Sequence, residues 1–266
     1  MTNKHTSTRE TIIQTLVEAL EPLAYVHAFW EGGAAAFNRI DDWSDLDLYI
    51  VVDDEKVDEA FLAIEKALKS LSPLKQVYEI PQLPWPGLSQ KFYKLERASE
   101  YHIIDLVVMK LNSPEKLLEP EIHGKAVFYF NRSNKLKAHP LDKEKIVEKL
   151  QKRLERLKAR FDLFNMVTQK EINRGNYLEA IDAYHILTLA SLVEALRITY
   201  NPLHHDFKMR YIHYEIPSEV IKKLKRLYFV ESDTDLQEKY HEATKWFQKI
   251  TSQIDQEMIE REVRKS

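Results

Sequence analysis

Two aspartates stand two residues apart at the start of an apolar run. Asp45 and Asp47 belong to the segment "SDLDLYIVV", which predicts a strand over residues 46–52. Because side chains at i and i+2 of a strand point to the same face, the two carboxylates should lie a few ångströms apart. Two ionised carboxylates that close repel each other, so the pair either raises one pKa or binds a cation. Oxygen ligands on a rigid strand suit Mg²⁺, which takes one or two protein carboxylates together with substrate phosphates.

A third acid, Asp105, interrupts the apolar run "YHIIDLVVM" at residues 101–109. A charged residue in a buried strand is costly unless it is paired or ligates a metal. If this strand pairs beside residues 46–52, three carboxylates converge. Such a set can hold two metal ions, the arrangement used for in-line phosphoryl or nucleotidyl transfer. The alternatives are a solvated turn for the first two acids and a charge at a strand edge for the third.

The chain has five glycines in 266 residues, and two of them are Gly32 and Gly33. A backbone without side chains can approach a triphosphate closely and aim N–H groups at it. The alanines at 34–36 fit a short helix whose N-terminus would face the phosphates. The alternative is a plain tight turn.

The composition is that of a folded protein without thiol chemistry. Hydrophobic residues make up 44% of the chain and charged residues 30%, which is enough apolar material for packed cores. A net charge of −3 does not favour nucleic acid as a partner. The lack of cysteine excludes disulfides, thiolate zinc sites and cysteine nucleophiles. The stretch "MTNKHTSTRETIIQ" is not typical of a signal peptide, and no apolar run is long enough for a membrane span, so we expect no membrane partner and a cytoplasmic location.

The first half of the chain alternates strand and helix signals. Ser7-Thr8-Arg9-Glu10 fits a capping box with the serine as N-cap, ahead of a helix that Pro22 closes. Residues 55–71 predict an amphipathic helix. Strands are predicted over 24–30, 46–52, 74–80, 91–96, 101–109 and 125–130.

The pattern changes at a polar stretch, "NRSNKLKAHPLD", that is typical of a linker over residues 131–142. Helices are then predicted over 142–173 and 177–200, from about 217–219 onward, and over 233–262. The predicted fold class is therefore α+β. A mixed sheet with flanking helices occupies residues 1–135, and an α-helical bundle occupies residues 136–266.

The order of these motifs resembles the nucleotidyltransferase superfamily of the DNA polymerase β type. A glycine pair is followed, after about a dozen residues, by Ser44-Asp45-Leu46-Asp47-Leu48 and then by a lone acid on a later strand. The helical second half narrows the resemblance to the antibiotic-modifying branch, the kanamycin, streptomycin and lincosamide nucleotidyltransferases. The motifs cover about residues 25–110. One departure is that Gly33 stands where a serine is common.

This resemblance implies a Mg²⁺-dependent enzyme that moves an NMP group, AMP as the first expectation, from an NTP to a hydroxyl of a small molecule. An aminoglycoside-like antibiotic is the first acceptor to expect. Asp45 and Asp47 would bind catalytic Mg²⁺, with two ions expected. Asp105 would be the third metal ligand or would help to deprotonate the acceptor hydroxyl. The pair Gly32–Gly33 would contact the triphosphate, and Ser44 would also reach the nucleotide.

The resemblance assigns catalysis to the domain 1–135 and acceptor binding to the helical domain 136–266. The general base in kanamycin-type enzymes is a glutamate of the helical domain, and the candidates here are Glu155, Glu179, Asp182 and Glu194. A homodimer is also an expected assembly, because related enzymes build their cleft across a dimer.

Two other functions fit the same motifs. Small nucleotidyltransferases also act as antitoxins that modify a helical protein partner, although helices are already fused to this chain. A nucleotide-binding module that has lost catalysis is the other alternative, since the missing serine removes a phosphate contact. The cluster His204-His205-Asp206 could be a metal site, but adjacent histidines in a loop are more often solvated.

Overall fold

The computed structural model of the chain describes residues 7–132, 136–138 and 140–265. The backbone divides into two compact units, Met1–Pro140 and Leu141–Ser266. The sheet belongs to the first unit, and the described part of the second consists of helices and the segments that join them. The predicted linker at 131–142 overlaps the last strand at Asn131. Its residues 133–135 and 139, and with them the predicted domain boundary, lie outside the described residues.

The first unit is built on one mixed sheet. Its strands are β1 (Val26–Glu31), β2 (Leu46–Val52), β3 (Leu74–Glu79), β4 (Leu88–Leu95), β5 (Ile104–Lys110) and β6 (Val127–Asn131). Their order across the sheet is β3-β4-β5-β2-β1-β6. Strands β2 and β5 pair in parallel, whereas the other neighbouring pairs are antiparallel. Together with the helices, this sheet confirms the predicted α+β class.

Two of the four helices described in the first unit pack on one face of the sheet. The four helices are α1 (Arg9–Leu20), α2 (Gly33–Ala36), α3 (Val57–Leu71) and α4 (Pro120–His123). Residues of α1 and α3 share a hydrophobic core with the inner positions of β1, β2, β4 and β5. Parallel strands need a long crossover connection, and α3 with the β3–β4 pair supplies it between β2 and β5.

Strand β2 alternates between the two faces of the sheet. Leu46, Leu48 and Ile50 are fully buried in the core that α1 and α3 cover. Asp47 and Tyr49 are half-buried and lie on the opposite face. A one-residue slip of register would therefore bury the carboxylate and expose the leucines, so the hydrophobic pattern fixes where the acid stands.

Helix α1 begins one residue later than the capping box predicts. Its N-cap is Thr8, whose Oγ1 accepts a hydrogen bond from the Thr11 N–H at 3.3 Å. Ser7 instead lies in an isolated bridge with Ala98, where its N–H donates to the Arg97 carbonyl at 3.2 Å. The prediction of Ser7 as N-cap was therefore wrong, because this bridge holds the serine backbone outside the helix.

The helices of the second unit are interrupted more often than the sequence predicts. They are α5 (Lys143–Phe164), α6 (Met166–Arg174), α7 (Tyr177–Ala183), a π-helical turn (Tyr184–Leu189), α8 (Ala190–Tyr200), a 3₁₀ turn (Pro202–His204), α9 (Ile212–Glu215), α10 (Ser218–Tyr228), α11 (Asp233–Gln253) and α12 (Gln256–Lys265). The helix predicted over 142–173 is thus divided between α5 and α6, and the one predicted over 233–262 between α11 and α12.

A polar residue with side-chain hydrogen bonds stands at each interruption. Asn165, between α5 and α6, is buried and donates from its amide to the hydroxyls of Tyr240 and Thr244, at 3.1 and 3.0 Å. Asp255, between α11 and α12, accepts a hydrogen bond from the Met258 N–H at 2.8 Å, which starts a new helix. These contacts are made with distant or following residues, so a periodic pattern does not reveal them.

The helices in the described part of the chain are all too short or too polar to cross a lipid bilayer.

Candidate functional site

Asp47 and Asp105 are direct partners across the parallel strands β2 and β5. Their neighbours Leu46 and Ile104 are likewise partners and are fully buried in the core beneath α1 and α3. Because side chains alternate along a strand, both aspartates lie on the other face of the sheet. Paired strands run about 4.8 Å apart, so two acids from distant parts of the sequence meet on one surface.

Asp45 lies one residue before β2 and is exposed. Its backbone carbonyl accepts a hydrogen bond from Arg9 Nη1 at 2.6 Å, which ties the entry of β2 to helix α1. Its carboxylate is close enough to contribute to the raised pKa of Asp105. The structure therefore brings all three predicted acids to the start of the β2–β5 pair, with Asp45 directly before the strand, as the predicted bounds of 46–52 imply.

Burial dominates the electrostatics of Asp105. It raises the pKa of this carboxyl to about 6, and the negative charge of Asp45 acts in the same direction. A hydrogen bond of 2.6 Å from Gln90 Nε2 to Asp105 Oδ1 partly offsets this rise, because it stabilises the ionised carboxylate. Burial and the nearby negative charge therefore both disfavour the ionised form of Asp105.

The glycine pair lies directly against Asp47. The Gly32 N–H donates to the Asp47 carbonyl at 2.9 Å. Gly33 has φ +50°, in the left-handed region, and a Cβ added to it would overlap Asp47 Oδ2. A Cβ at Gly32 would stand 2.6 Å from the ring of Tyr49. Any side chain at Gly33 would therefore displace the carboxylate of Asp47.

Ser44 takes part in a turn ahead of Asp45. Its hydroxyl donates to Asp41 Oδ1 at 2.8 Å and accepts from the Asp41 N–H at 2.9 Å. The Trp43 N–H donates to the same carboxylate oxygen at 3.1 Å. The side chain of Ser44 thus holds the loop that leads into the acids, and its contact with a nucleotide stays a prediction.

A buried ion pair beneath the acids was not predicted from the sequence. Arg9 on α1 forms a salt bridge with Glu31, the last residue of β1, which is only 3% exposed. The Tyr129 hydroxyl donates to the other oxygen of Glu31 at 2.5 Å. Arg9 thus fixes both the end of β1, next to the glycine pair, and the backbone of Asp45. The one signal in the sequence is an acid placed between an apolar strand and the glycines.

The three aspartates suit Mg²⁺ as a donor set, because hard carboxylate oxygens are its preferred protein ligands. The glycine at position 33 is consistent with this role, since a Cβ there would overlap the Asp47 carboxylate. Among the described residues, the donor oxygens of the three aspartates do not all lie within 4.8 Å of one another. The expected pair of Mg²⁺ ions at these acids stays a prediction.

A second group of ligand-type side chains lies in the same unit. Glu115, Glu119 and His123 are half-buried, and their ligand atoms all lie within 4.8 Å of one another. Their spacing of four residues could have suggested the group from the sequence. Glu115 also accepts hydrogen bonds from the N–H groups of Lys116 and Leu117, at 3.0 and 2.9 Å, so its carboxylate already has backbone partners.

The acids considered as general base in the helical unit differ in their surroundings. Glu155, Glu179 and Asp182 are exposed on their helices. Glu194 is paired with Arg153, whose Nη2 donates to its Oε2 at 2.8 Å. The structure of the second unit gives none of these acids a distinguishing catalytic feature.

The histidine-rich loop of the helical unit is built into the protein interior. His204 is buried, stacks on Phe207 with ring centroids 4.0 Å apart, and bonds through Nδ1 to Glu215 at 2.9 Å. Burial lowers the pKa of His205. The buried Arg197 donates to the other oxygen of Glu215 at 2.7 Å. These contacts assign His204 to packing and hydrogen bonding in the interior rather than to the solvent.

No protein-family model matches the sequence, and no curated protein matches it. Solved structures similar to this chain include an aminoglycoside 6-adenyltransferase from Bacillus subtilis. It is 10% identical, with 97% of this chain and 92% of that chain covered, at a TM-score of 0.37. Another is a spectinomycin adenyltransferase from Enterococcus faecialis, solved with ATP and spectinomycin. It is 12% identical, with 90% and 100% covered, at a TM-score of 0.34. Both are named as adenyltransferases, but likenesses this distant transfer no residue roles or substrates to this chain.

Proposed function

We propose that the protein is a Mg²⁺-dependent nucleotidyltransferase that moves AMP from ATP to a hydroxyl of a small molecule. The observation that carries this proposal is the register of β2 and β5, which pairs Asp47 with Asp105. Asp45 directly precedes β2, and its charge acts on Asp105. Structural acids are seldom placed as a half-buried pair against a glycine whose side chain would collide with one of them. A site for metal-bound phosphate explains all of these features together.

Asp45, Asp47 and Asp105 would hold the metal ions, and Gly32 and Gly33 would border the triphosphate. Bound Mg²⁺ would neutralise charge on the phosphates and favour ionisation of the acceptor hydroxyl. In the reaction, the hydroxyl oxygen forms a bond to the α-phosphorus, and the bond from that phosphorus to the β-phosphate oxygen breaks. Pyrophosphate leaves, and the hydroxyl proton passes to a base in the site or to water.

Hydrogen bonds to the backbone of the chain hold the acids in position, and the acids give the site its negative charge. The Arg9 guanidinium holds the carbonyl of Asp45, so the first acid keeps its place at the strand entry. The Gly32 N–H holds the carbonyl of Asp47. Three acids fixed in this way form a site with excess negative charge, which a cation must compensate before a triphosphate can approach. We further propose that the helical unit binds the acceptor and that the residues before it form the catalytic domain.

The acceptor class follows from the motif resemblance, and an aminoglycoside-like antibiotic is the first to test. The purified protein would be incubated with Mg²⁺, labelled ATP or GTP, and a panel of aminoglycosides and lincosamides. We expect a nucleotidylated small molecule and released pyrophosphate, with ATP preferred. The double variant Asp45→Asn, Asp47→Asn should give no product above background. Asp42→Asn is the matched control, because Asp42 is an exposed acid of the same loop.

The same assay separates the alternatives. Label that appears on a protein rather than on a small molecule would indicate the antitoxin-type activity. A protein that binds no nucleotide with Mg²⁺ present would indicate a module that has lost catalysis. A product that persists in the double aspartate variant would refute the metal assignment.

A further inference from the structure

Gln90 connects strand β4 to the candidate metal site. In the antiparallel pair β4–β5, Phe92 lies opposite Asp105 and Gln90 lies opposite Val107. Opposed residues of an antiparallel pair point to the same face, so Gln90 is a diagonal neighbour of Asp105 on the face that carries the acids. Its Nε2 reaches across the diagonal and donates to Asp105 Oδ1 at 2.6 Å.

The chemistry of the donor matters as much as its position. A lysine or arginine in this place would form an ion pair with Asp105 and cancel the charge that a cation needs. A glutamine donates a hydrogen bond without adding charge, so it orients the carboxylate and leaves it fully negative. Metal-ligating carboxylates are commonly held by such partners, and loss of one typically costs 10–100-fold in metal affinity.

The side-chain length of Gln90 is also required. Diagonal neighbours in an antiparallel pair are about 7–8 Å apart, a distance that only long side chains span. Asparagine is shorter by one methylene group and would stop short of the carboxylate. With Oδ1 held by the amide, the rotation of the Asp105 carboxyl group is fixed, and Oδ2 is the oxygen left to a metal.

We propose that Gln90 is a positioning residue that orients Asp105 as a Mg²⁺ ligand, an inference that rests on the proposed function. The residue acts through Asp105 and touches neither substrate nor metal. Its removal should weaken Mg²⁺ binding while β4 keeps its place in the sheet, because β4 pairs with β3 and β5 through the backbone.

The test compares Gln90→Met with Gln76→Met in the full chain. Methionine has nearly the length of glutamine but has no N–H to donate. Gln76 is an exposed glutamine on β3 of the same sheet, so its variant is a matched control. Mg²⁺ affinity would be measured by calorimetric titration, with and without a non-hydrolysable ATP analogue, and folding by urea unfolding in EDTA. If Gln90→Met does not fold, Gln90→Asn serves instead, because it keeps the amide but is too short to donate to Asp105.

We expect Gln90→Met to weaken Mg²⁺ binding about 10–100-fold, with Gln76→Met unchanged. In the nucleotidyl-transfer assay, the Mg²⁺ concentration for half-maximal rate should rise by the same factor, while the KM for ATP at saturating Mg²⁺ stays constant. Binding within twofold of the wild type in Gln90→Met, or equal weakening in Gln76→Met, overturns the role of Gln90 and leaves the proposed function intact. If the wild-type protein binds no Mg²⁺ in either condition, the proposed function fails and this inference fails with it.

Discussion

Replacing Asp105 with asparagine should stabilise the metal-free protein while it removes a proposed metal ligand. Burial raises the pKa of Asp105 to about 6 from its ordinary value of 3.8, so the folded state resists ionisation of this carboxyl. Each step of one in pKa corresponds to about 1.4 kcal/mol, so ionised Asp105 costs about 3 kcal/mol of folding free energy at full effect. Asparagine keeps an oxygen that can accept from Gln90 and has no charge to bury.

The sign of the pH dependence follows from the direction of the shift. Because the folded-state pKa lies above the unfolded value, the folded state binds more protons between pH 3.8 and about 6, and stability falls as the pH rises through this window. Below both values the carboxyl is neutral in both states and carries no penalty. The gain from Asp105→Asn should therefore be about 3 kcal/mol at pH 8 and only about 0.5 kcal/mol at pH 4.

The assay is urea unfolding in EDTA, followed by tryptophan fluorescence in a Trp246→Phe background. Trp246 is the one tryptophan of the second unit, so the remaining three report on the first unit, which contains Asp105. The control variant is Asp42→Asn, an exposed acid whose loss should change stability by less than about 0.5 kcal/mol. Addition of Mg²⁺ should stabilise the wild type by mass action and leave Asp105→Asn unchanged.

Two results would refute this reasoning. If Asp105→Asn is no more stable than the wild type at pH 8 in EDTA, burial does not penalise the charge of Asp105. If the gain is the same at pH 4 and pH 8, it arises from packing or from the unfolded state rather than from ionisation.

Three further variants test the parts of the structure that hold the acids and the helical unit. Gly33→Ala should destabilise the protein by at least about 1 kcal/mol, since φ is positive at this residue. It should also abolish Mg²⁺ binding in calorimetry, because the new Cβ displaces the Asp47 carboxylate. Unchanged Mg²⁺ affinity would show that this carboxylate can move without loss of metal binding. Arg9→Met should lower the free energy of unfolding in urea by about 3–5 kcal/mol, because it leaves the charge of Glu31 buried and uncompensated. Adding Glu31→Leu should restore much of that stability. An Arg9→Met protein as stable as the wild type would contradict this. Arg197→Met should lower the stability of the second unit by a similar amount, because the fully buried guanidinium donates to the Glu215 carboxylate and to two backbone carbonyls. Fluorescence of Trp246, the tryptophan of that unit, would report this loss during urea unfolding.

Local patterns in the sequence were sufficient to locate most elements of the first unit. Strand β2 coincides with its prediction over 46–52, because an apolar run interrupted by Asp47 defines the element, and alternating burial over its first residues defines the core-facing side. Helix α3 begins at Val57, two residues after its predicted start, because amphipathic spacing is less sharp at a helix end. In the second unit, breaks at Asn165 and Asp255 divide helices that periodicity alone presented as continuous.

The sequence by itself determined the types of the site residues. Two aspartates lie at strand spacing, a third lies inside an apolar run, and a glycine pair precedes them. From these residues we could infer a site that binds a cation and a phosphate group. Only the tertiary structure decided that Asp105 stands beside Asp47, since strand order and register depend on contacts between distant segments. It also decided the hydrogen bond from Gln90 and the ion pair of Arg9, because these partners meet only after the sheet and α1 have packed. Short-range spacing specifies which side chains share a face of one element, whereas the neighbours across elements are set by the packing of the whole unit.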